Sequence, residues 1–219
     1  MKLAWCPKTA AKAYLDTVKS CELYKESGVA ELISAMAAGW RAKLIVETWS
    51  QGGVITTSIG LAIASRHMGG RHVCVVPDER SRSDYMESMG AAGMAPEVIV
   101  GEAEEAMEEL AGIDFLLVDS QRRDFARVLR VAKLSHRGAV LICKNASSRS
   151  CSSFRWRSVV EDRSRRVVRT VFLPVGRGLD IAHVSGSGSG GSSSAVKGGN
   201  RWIKHVDRIS GEEHVIRKS

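Results

Sequence analysis

Five short apolar runs, each of strand length and each followed by a helix-like stretch or a loop, constrain this chain more than any other feature. They cover residues 43–49, 72–76, 96–100, 113–119 and 138–143. Runs this apolar and β-branched, with no polar alternation, fit strands buried on both faces rather than on one. Between them lie a helical segment over 54–67, one that starts near Ser81 and ends near Gly93, an acidic one over 102–110, and a basic one carrying Phe125, Val128, Leu129 and Ala132 inward. Ser81 with Asp84 three residues later reads as a capping box for the second of these. Two further helices precede the first run. One begins at Pro7 and spaces Ala10, Ala13, Tyr14, Val18 and Cys21 at helical intervals; the other covers 29–36 and stops at Gly39. Strands alternating with helices over short loops predict an α/β fold: a doubly wound, mostly parallel, Rossmann-like sheet with right-handed crossovers. Past residue 150 the runs 167–175 and 179–185, joined through Gly176-Arg177-Gly178, predict a C-terminal antiparallel hairpin at the sheet edge.

Residues 1–185 thus form the α/β domain. Residues 186–199 read as a Gly/Ser linker, and 200–219 as a basic tail with two short strands about Ser210-Gly211. No apolar run approaches the ~20 residues of a bilayer-spanning helix. The opening Met1-Lys2-Leu3-Ala4-Trp5-Cys6-Pro7 lacks the apolar stretch and cleavage site of a secretory leader. A membrane or secreted protein is not expected. Five cysteines without a Cys-x-x-Cys pair argue against a disulfide framework and a structural zinc site, and for the reducing cytoplasm or nucleus.

Charge is unevenly spread. Residues 1–119 carry 11 Lys and Arg against 17 Asp and Glu, whereas residues 120–219 carry 21 against 7. Much of the excess lies in a cluster from Arg149 through Arg155, Arg157, Arg163, Arg165 and Arg166 to Arg169, interleaved with Phe154 and Trp156. Basic side chains with aromatics among them suit a nucleic-acid or phosphate-binding surface. A solvated Arg-rich helix and loop is the other reading, and no nucleic-acid motif accompanies the cluster.

In an open parallel sheet, ligands bind beyond the carboxyl ends of the strands. Those ends carry Glu47, Asp78 and Glu79, Gly101 and Glu102, Asp119, and Lys144 with Asn145. An acid after the second strand can accept from ribose hydroxyls, or it can cap the next helix. Gly52-Gly53 opens the helix after the first strand, where free N–H groups favour an anion. That turn carries neither Gly-x-Gly-x-x-Gly nor Gly-Lys-Ser/Thr, so neither a dinucleotide site nor a P-loop follows.

Residues 28–185 resemble the class I S-adenosylmethionine-dependent methyltransferases, in particular the small caffeoyl-CoA-type O-methyltransferases. Three segments carry the resemblance: Ala42-Lys43-Leu44-Ile45-Val46-Glu47 with the helix before it, Phe115-Leu116-Leu117-Val118-Asp119, and Leu173-Pro174-Val175-Gly176-Arg177-Gly178-Leu179. The last is similar to that family's Leu-Pro-Ile/Val-Gly-Asp-Gly-Leu hairpin. The chain as a whole also resembles a plant family known as a domain of unknown function, through Met1-Lys2-Leu3-Ala4-Trp5 and Val75-Val76-Pro77-Asp78-Glu79-Arg80-Ser81.

The resemblance implies S-adenosylmethionine as cofactor, with Glu47 beside its methionine end and Gly53 as the second glycine of the family's first motif. It implies Asp78 or Glu79 at the ribose, Glu102 and Ala103 at the adenine, and Asp119 near the transferred methyl group. Three positions depart from the pattern. Trp49 stands where the family has a glycine that lets the backbone approach the cofactor closely, so its ring either fills part of that pocket or forms a wall of it. Lys144 precedes Asn145 where metal-dependent relatives have Asp-Asn, which removes a hard-cation ligand and adds a repelling charge, so no metal is expected. Lys144 can neutralise a substrate oxyanion or pair with Asp119 as a buried ion pair, and the pair is the expectation. Arg122 stands where the family has a lysine, and a guanidinium cannot act as a base. The sequence therefore suggests a methyltransferase with Asp119, Lys144 and Asn145 at its catalytic centre, acting on an unidentified small-molecule or macromolecular acceptor. The alternative is a catalytically silent binding or interaction module, RNA-directed in one version.

Overall fold

The alternation of apolar runs and helices becomes a three-layer sandwich whose middle layer is one seven-stranded sheet. The computed structural model describes residues 4–24, 28–148, 154–162 and 165–186, together with the backbone of 202–206 and 213–217. The linker reading from residue 187 onward, Arg149 and Arg163 lie outside the described residues.

In chain order the elements are α1 (Pro7–Ser20), α2 (Val29–Gly39), β1 (Leu44–Thr48), α3 (Thr56–Met68), β2 (Arg71–Val76), α4 (Glu79–Ala91), β3 (Glu97–Val100) and α5 (Ala103–Glu109). They continue with β4 (Ala111–Ile113), β5 (Phe115–Asp119), α6 (Phe125–Val131), β6 (Lys133–Leu134), β7 (Gly138–Lys144), a 3-10 turn (Ala146–Ser148), α7 (Trp156–Val160), β8 (Val167–Leu173) and β9 (Leu179–Ser185). The sheet runs β3-β2-β1-β5-β7-β9-β8. β9 alone is antiparallel to its neighbours, so β8 and β9 form the expected edge hairpin. β4 and β6 make a separate small parallel pair, too short to carry a readable period. Residues Met1–Ser189 and Gly190–Ser219 are distinct compact units. In the second, β10 (Trp202–Val206) pairs antiparallel with β11 (Glu213–Arg217), the two strands expected of the tail.

Every residue of β1 and of β7 is buried. The reason is the sandwich: alternate side chains of β1, β2, β5 and β7 enter two different cores. One core joins them to α5, α6 and α7 through Met107, Leu129 and Trp156. The other joins them to α2, α3 and α4 through Ile33, Ile59 and Tyr85. Small residues let helices approach closely. A Cβ on Gly60 of α3 would stand 2.6 Å from the carbonyl oxygen of Ala30 in α2, so that crossing requires glycine.

The amino ends of the central strands are pinned by one buried carboxylate. Asp114 Oδ2 accepts from the backbone N–H of Lys43 at 2.7 Å and of Leu44 at 3.2 Å, and from Arg137 at 2.8 Å. Three donors on one oxygen fix the start of β1 against β5 and leave the opposite, carboxyl ends as the ones open to a ligand.

The capping box at Ser81 and Asp84 is corrected. α4 begins two residues earlier, at Glu79, and its N-cap is Asp78, whose Oδ1 accepts from Ser81 N at 2.7 Å. Ser81 therefore supplies the capped N–H, not the cap.

Candidate functional site

Winding from β1 proceeds outward to β2 and β3 on one side, and from β5 outward to β7 on the other. The carboxyl ends of β1 and β5 are thus the switch point, where diverging crossovers leave a crevice. A cavity of about 330 Å³ lies there, near the lower end of the range for small-molecule sites. Its first wall is the Gly52-Gly53 turn after β1 and the start of α3 at Thr56 and Thr57. Asp119 and Gln121 close β5, Lys144 and Asn145 close β7, and the tight turn between β8 and β9 brings Arg177 to the rim.

All three residues expected at the catalytic centre therefore share one cavity. Asp119 Oδ2 accepts from Asn145 Nδ2 at 2.8 Å, and its Oδ1 accepts from the Gln121 backbone N–H at 2.9 Å. Asn145 reaches that position from a left-handed backbone (φ 59°), which asparagine tolerates better than most residues. The expected ion pair between Lys144 and Asp119 is not made. The two are register neighbours on β5 and β7, yet both Asp119 oxygens are turned to Asn145 and Gln121. Lys144 is only 7% exposed and lines the cavity, and no carboxylate among the described residues lies within ion-pairing distance of its ammonium. Its charge is felt by the more deeply buried Glu47.

Glu47 is sealed at the bottom of this region. Its Oε1 accepts from Tyr85 OH at 2.9 Å and stands 3.0 Å from His72 Nε2, while Oε2 has no hydrogen-bond partner among the described residues. Burial opposes ionisation, but the His72 hydrogen bond and charge, with Lys144 beyond, hold the Glu47 carboxyl below the usual range. The Tyr85 hydroxyl and the Cys74 thiol are both pushed up, first by burial and then by the Glu47 charge. All three are fully buried. The Trp49 indole is 5% exposed and packs against Tyr85 with ring centroids 5.3 Å apart. Trp49 Nε1 is a buried donor without a partner among the described residues, and it lies 2.8 Å from where a Cβ on Gly53 would stand. Of the two readings of Trp49, filling is the one the packing supports.

The remaining cofactor candidates do not line the cavity. Asp78 spends one oxygen on the α4 cap, and that backbone hydrogen bond from Ser81 holds its carboxyl below the usual range. Glu79 lies in the first turn of α4, mostly exposed and paired with Arg82 at 3.2 Å. Glu102 is exposed at the N-cap of α5, and Ala103 is buried in the core cluster beneath that helix, so its methyl packs inward. Arg122 pairs with Asp124 at 2.8 Å, and that hydrogen bond raises its pKa.

In the basic cluster, Trp156 is buried in the core, with Nε1 donating to Asp180 at 2.7 Å, and the partly buried Phe154 packs edge-on against it and at a tilt against Phe125. Among the described residues no three His, Cys, Asp or Glu side chains gather as metal ligands do, and no helix is long and apolar enough to cross a membrane.

Sequence reasoning passed over Arg177, Thr56, Thr57 and Gln121. Arg177 had a signal, because a lone charge flanked by two glycines between paired strands must sit on a turn tip. Gly176 and Gly178 both have positive φ there, 60° and 85°.

The fold is shared with solved methyltransferases. A methyltransferase from Geobacter sulfurreducens superposes with a TM-score of 0.56 at 21% identity, covering 80% of this chain and 88% of that one. The Podospora anserina methyltransferase PaMTH1, solved with S-adenosylhomocysteine, gives 0.56 at 15% identity over 83% and 89%. The Streptomyces achromogenes O-methyltransferase TomG, solved with S-adenosylmethionine, gives 0.52 at 20% identity over 84% and 92%. Identities this low establish the shared fold alone. No curated protein matches the chain. Residues 1–218 match the family described as "Protein of unknown function (DUF1442)", and the chain belongs to that family.

Proposed function

We propose that this protein is an S-adenosylmethionine-dependent methyltransferase, of cytoplasm or nucleus, whose acceptor enters the cavity at the ends of β1, β5 and β7. The observation that carries this is the convergence of the Gly52-Gly53 turn, the α3 N-terminus, Asp119 and Asn145 at the switch point of a methyltransferase sheet. Fold alone licenses no reaction, so the weight rests on these residues. They suit the cofactor on one side only. Gly52 has nothing within 4 Å of a would-be Cβ, which leaves room for close approach. On the Glu47 side the approach is filled by the Trp49 ring.

Bound S-adenosylmethionine would supply an electrophilic methyl group. What the chain itself contributes is orientation: Asn145 holds the Asp119 carboxylate at the cavity wall, and Lys144 offsets negative charge beside it. Calorimetric titration with S-adenosylmethionine and S-adenosylhomocysteine tests the reading. Dissociation constants of about 1–100 μM, or roughly −8 to −5.5 kcal/mol, support it and justify screening acceptors for methyl transfer.

A second reading has its own observation. Trp49 is buried against Tyr85, while Asp78 and Glu79 belong to the start of α4, so three positions expected at the cofactor serve the fold instead. A chain that binds neither compound at about 1 mM is a catalytically silent member of the fold, using the cavity or its surface for another partner.

A further inference from the structure

Lys144 and Arg177 reach the same cavity from different elements, and neither makes an ion pair with a described residue. Lys144, at the end of β7, is 93% buried by the complement of its 7% exposure, and its ammonium makes no hydrogen bond or ion pair with a described residue. Arg177 stands on the β8–β9 turn, where its backbone carbonyl accepts from Ser147 N at 2.9 Å and its guanidinium likewise has no described partner. The third wall is the start of α3, a 13-residue helix whose N-cap, Ile55, makes no side-chain cap. Its dipole therefore turns a positive end toward the cavity.

Two negative groups stand near, and neither makes an ion pair with these cations. Asp119 has its oxygens on Asn145 and Gln121, and the buried Glu47, which feels the Lys144 charge, has its bonded oxygen on Tyr85 and His72. The Lys144 ammonium thus lines the cavity with no carboxylate in ion-pairing distance among the described residues, and an anion entering the cavity supplies one.

We propose that this cavity binds an acidic small molecule, seating a phosphoryl or carboxylate oxyanion between Lys144, Arg177 and the α3 N-terminus. This deepens the methyltransferase reading by naming the acceptor as an acid, and it rests on that reading only for the transfer of methyl, not for the anion.

The test is calorimetry on the full chain at low ionic strength, with phenyl phosphate and benzoate as probes and S-adenosylhomocysteine titrated separately. At least one probe is expected to bind with a dissociation constant below about 1 mM, and the stronger one tells phosphate from carboxylate recognition. Lys144→Met is expected to weaken it about 30-fold or more, as loss of a buried charge partner does. Arg177→Gln, at an exposed turn that folding does not depend on, is expected to weaken it about three- to fivefold. Binding of neither probe at about 10 mM, or unchanged binding in both variants, overturns the proposal. Failure of the probes with S-adenosylhomocysteine still bound refutes the acid alone. Failure of S-adenosylhomocysteine with the probes still bound refutes the methyltransferase and leaves the anion site standing.

Discussion

Replacing Trp49 by glycine separates a plug from a wall. The indole is 5% exposed, rests on Tyr85 and fills the space beside Gly53. Removing a buried tryptophan costs about 3–5 kcal/mol through lost transfer energy and the cavity left behind. Part of that is offset, because Trp49 Nε1 is a buried donor without a partner, and deleting such a group returns about 1–3 kcal/mol. A net loss of about 2 kcal/mol lowers the melting temperature by about 4–8 °C in a unit of this size, which leaves a folded protein to titrate. The vacated space borders Tyr85, the hydrogen-bond partner of Glu47, and the Gly53 turn, where the resemblance puts the cofactor. Affinity for S-adenosylhomocysteine should therefore rise about tenfold or more, equivalent to roughly 1.4 kcal/mol. Calorimetry on wild type and Trp49→Gly, with thermal melts run alongside, reads both quantities. A folded variant whose affinity is equal or weaker refutes the plug and makes Trp49 part of the binding wall.

Three further outcomes follow from carboxylates that hydrogen-bond within the fold. Asp114→Ala orphans two backbone N–H groups and Arg137 at the amino ends of β1 and β5, and should cost about 3 kcal/mol in chemical denaturation without changing ligand affinity. Glu47 titrates below its unfolded value, so the unfolded chain binds more protons in the interval between the two. Its contribution to stability is therefore present above the ordinary glutamate range and lost as pH falls through the depressed folded value. Glu47→Gln should flatten that part of the stability–pH curve, and an unchanged slope removes Glu47 as its source. Asp78→Asn keeps an acceptor for Ser81 N and should melt like wild type, whereas Asp78→Ala should melt lower. Both should keep the wild-type affinity for S-adenosylhomocysteine, and a tenfold loss in Asp78→Asn would show that the second oxygen holds ligand.

The sheet was legible because burial on both faces leaves an unbroken apolar signature. Leu44 to Val46, Val73 to Val76 and Val140 to Cys143 need no knowledge of their neighbours to read as interior strands. Their ends were legible from the first polar residue after each run, although Glu47 and Lys144 at two of those ends are themselves buried. Side-chain direction was not. Asp78 looked like a ligand and is a cap because α4 begins one residue after it, and Trp49 could be assigned a side only once Tyr85 of α4 was seen against it. The buried set of Glu47, His72 and Tyr85 joins three elements, and only their folding brings its members together. The same holds for Lys144 and Arg177, which meet across the β7–β9 pairing.

That meeting changes what the cavity can recognise. In the methyltransferase motifs this chain resembles, both positions are aspartates: one in the Asp-Asn pair after the fifth strand, the other in the Gly-Asp-Gly turn. Taken singly along the chain, Lys144 and Arg177 are two unrelated substitutions. Folded, they stand on the walls of one cavity, so two negative wall charges have become positive while Asp119 and its Asn145 partner stay in place. A site with acids at all three positions attracts a hard cation and can grip an acceptor through it. With two of the three inverted, a cation is repelled and the lysine ammonium holds a fixed positive charge in its stead, deep enough for an oxyanion to pair with it strongly. The sheet is unchanged between the two cases, and so the fold predicts neither the metal nor the acceptor. On the proposed methyltransferase reading, acceptors should accordingly be sought among acids that carry their own negative charge, not among compounds that need a metal to acquire one.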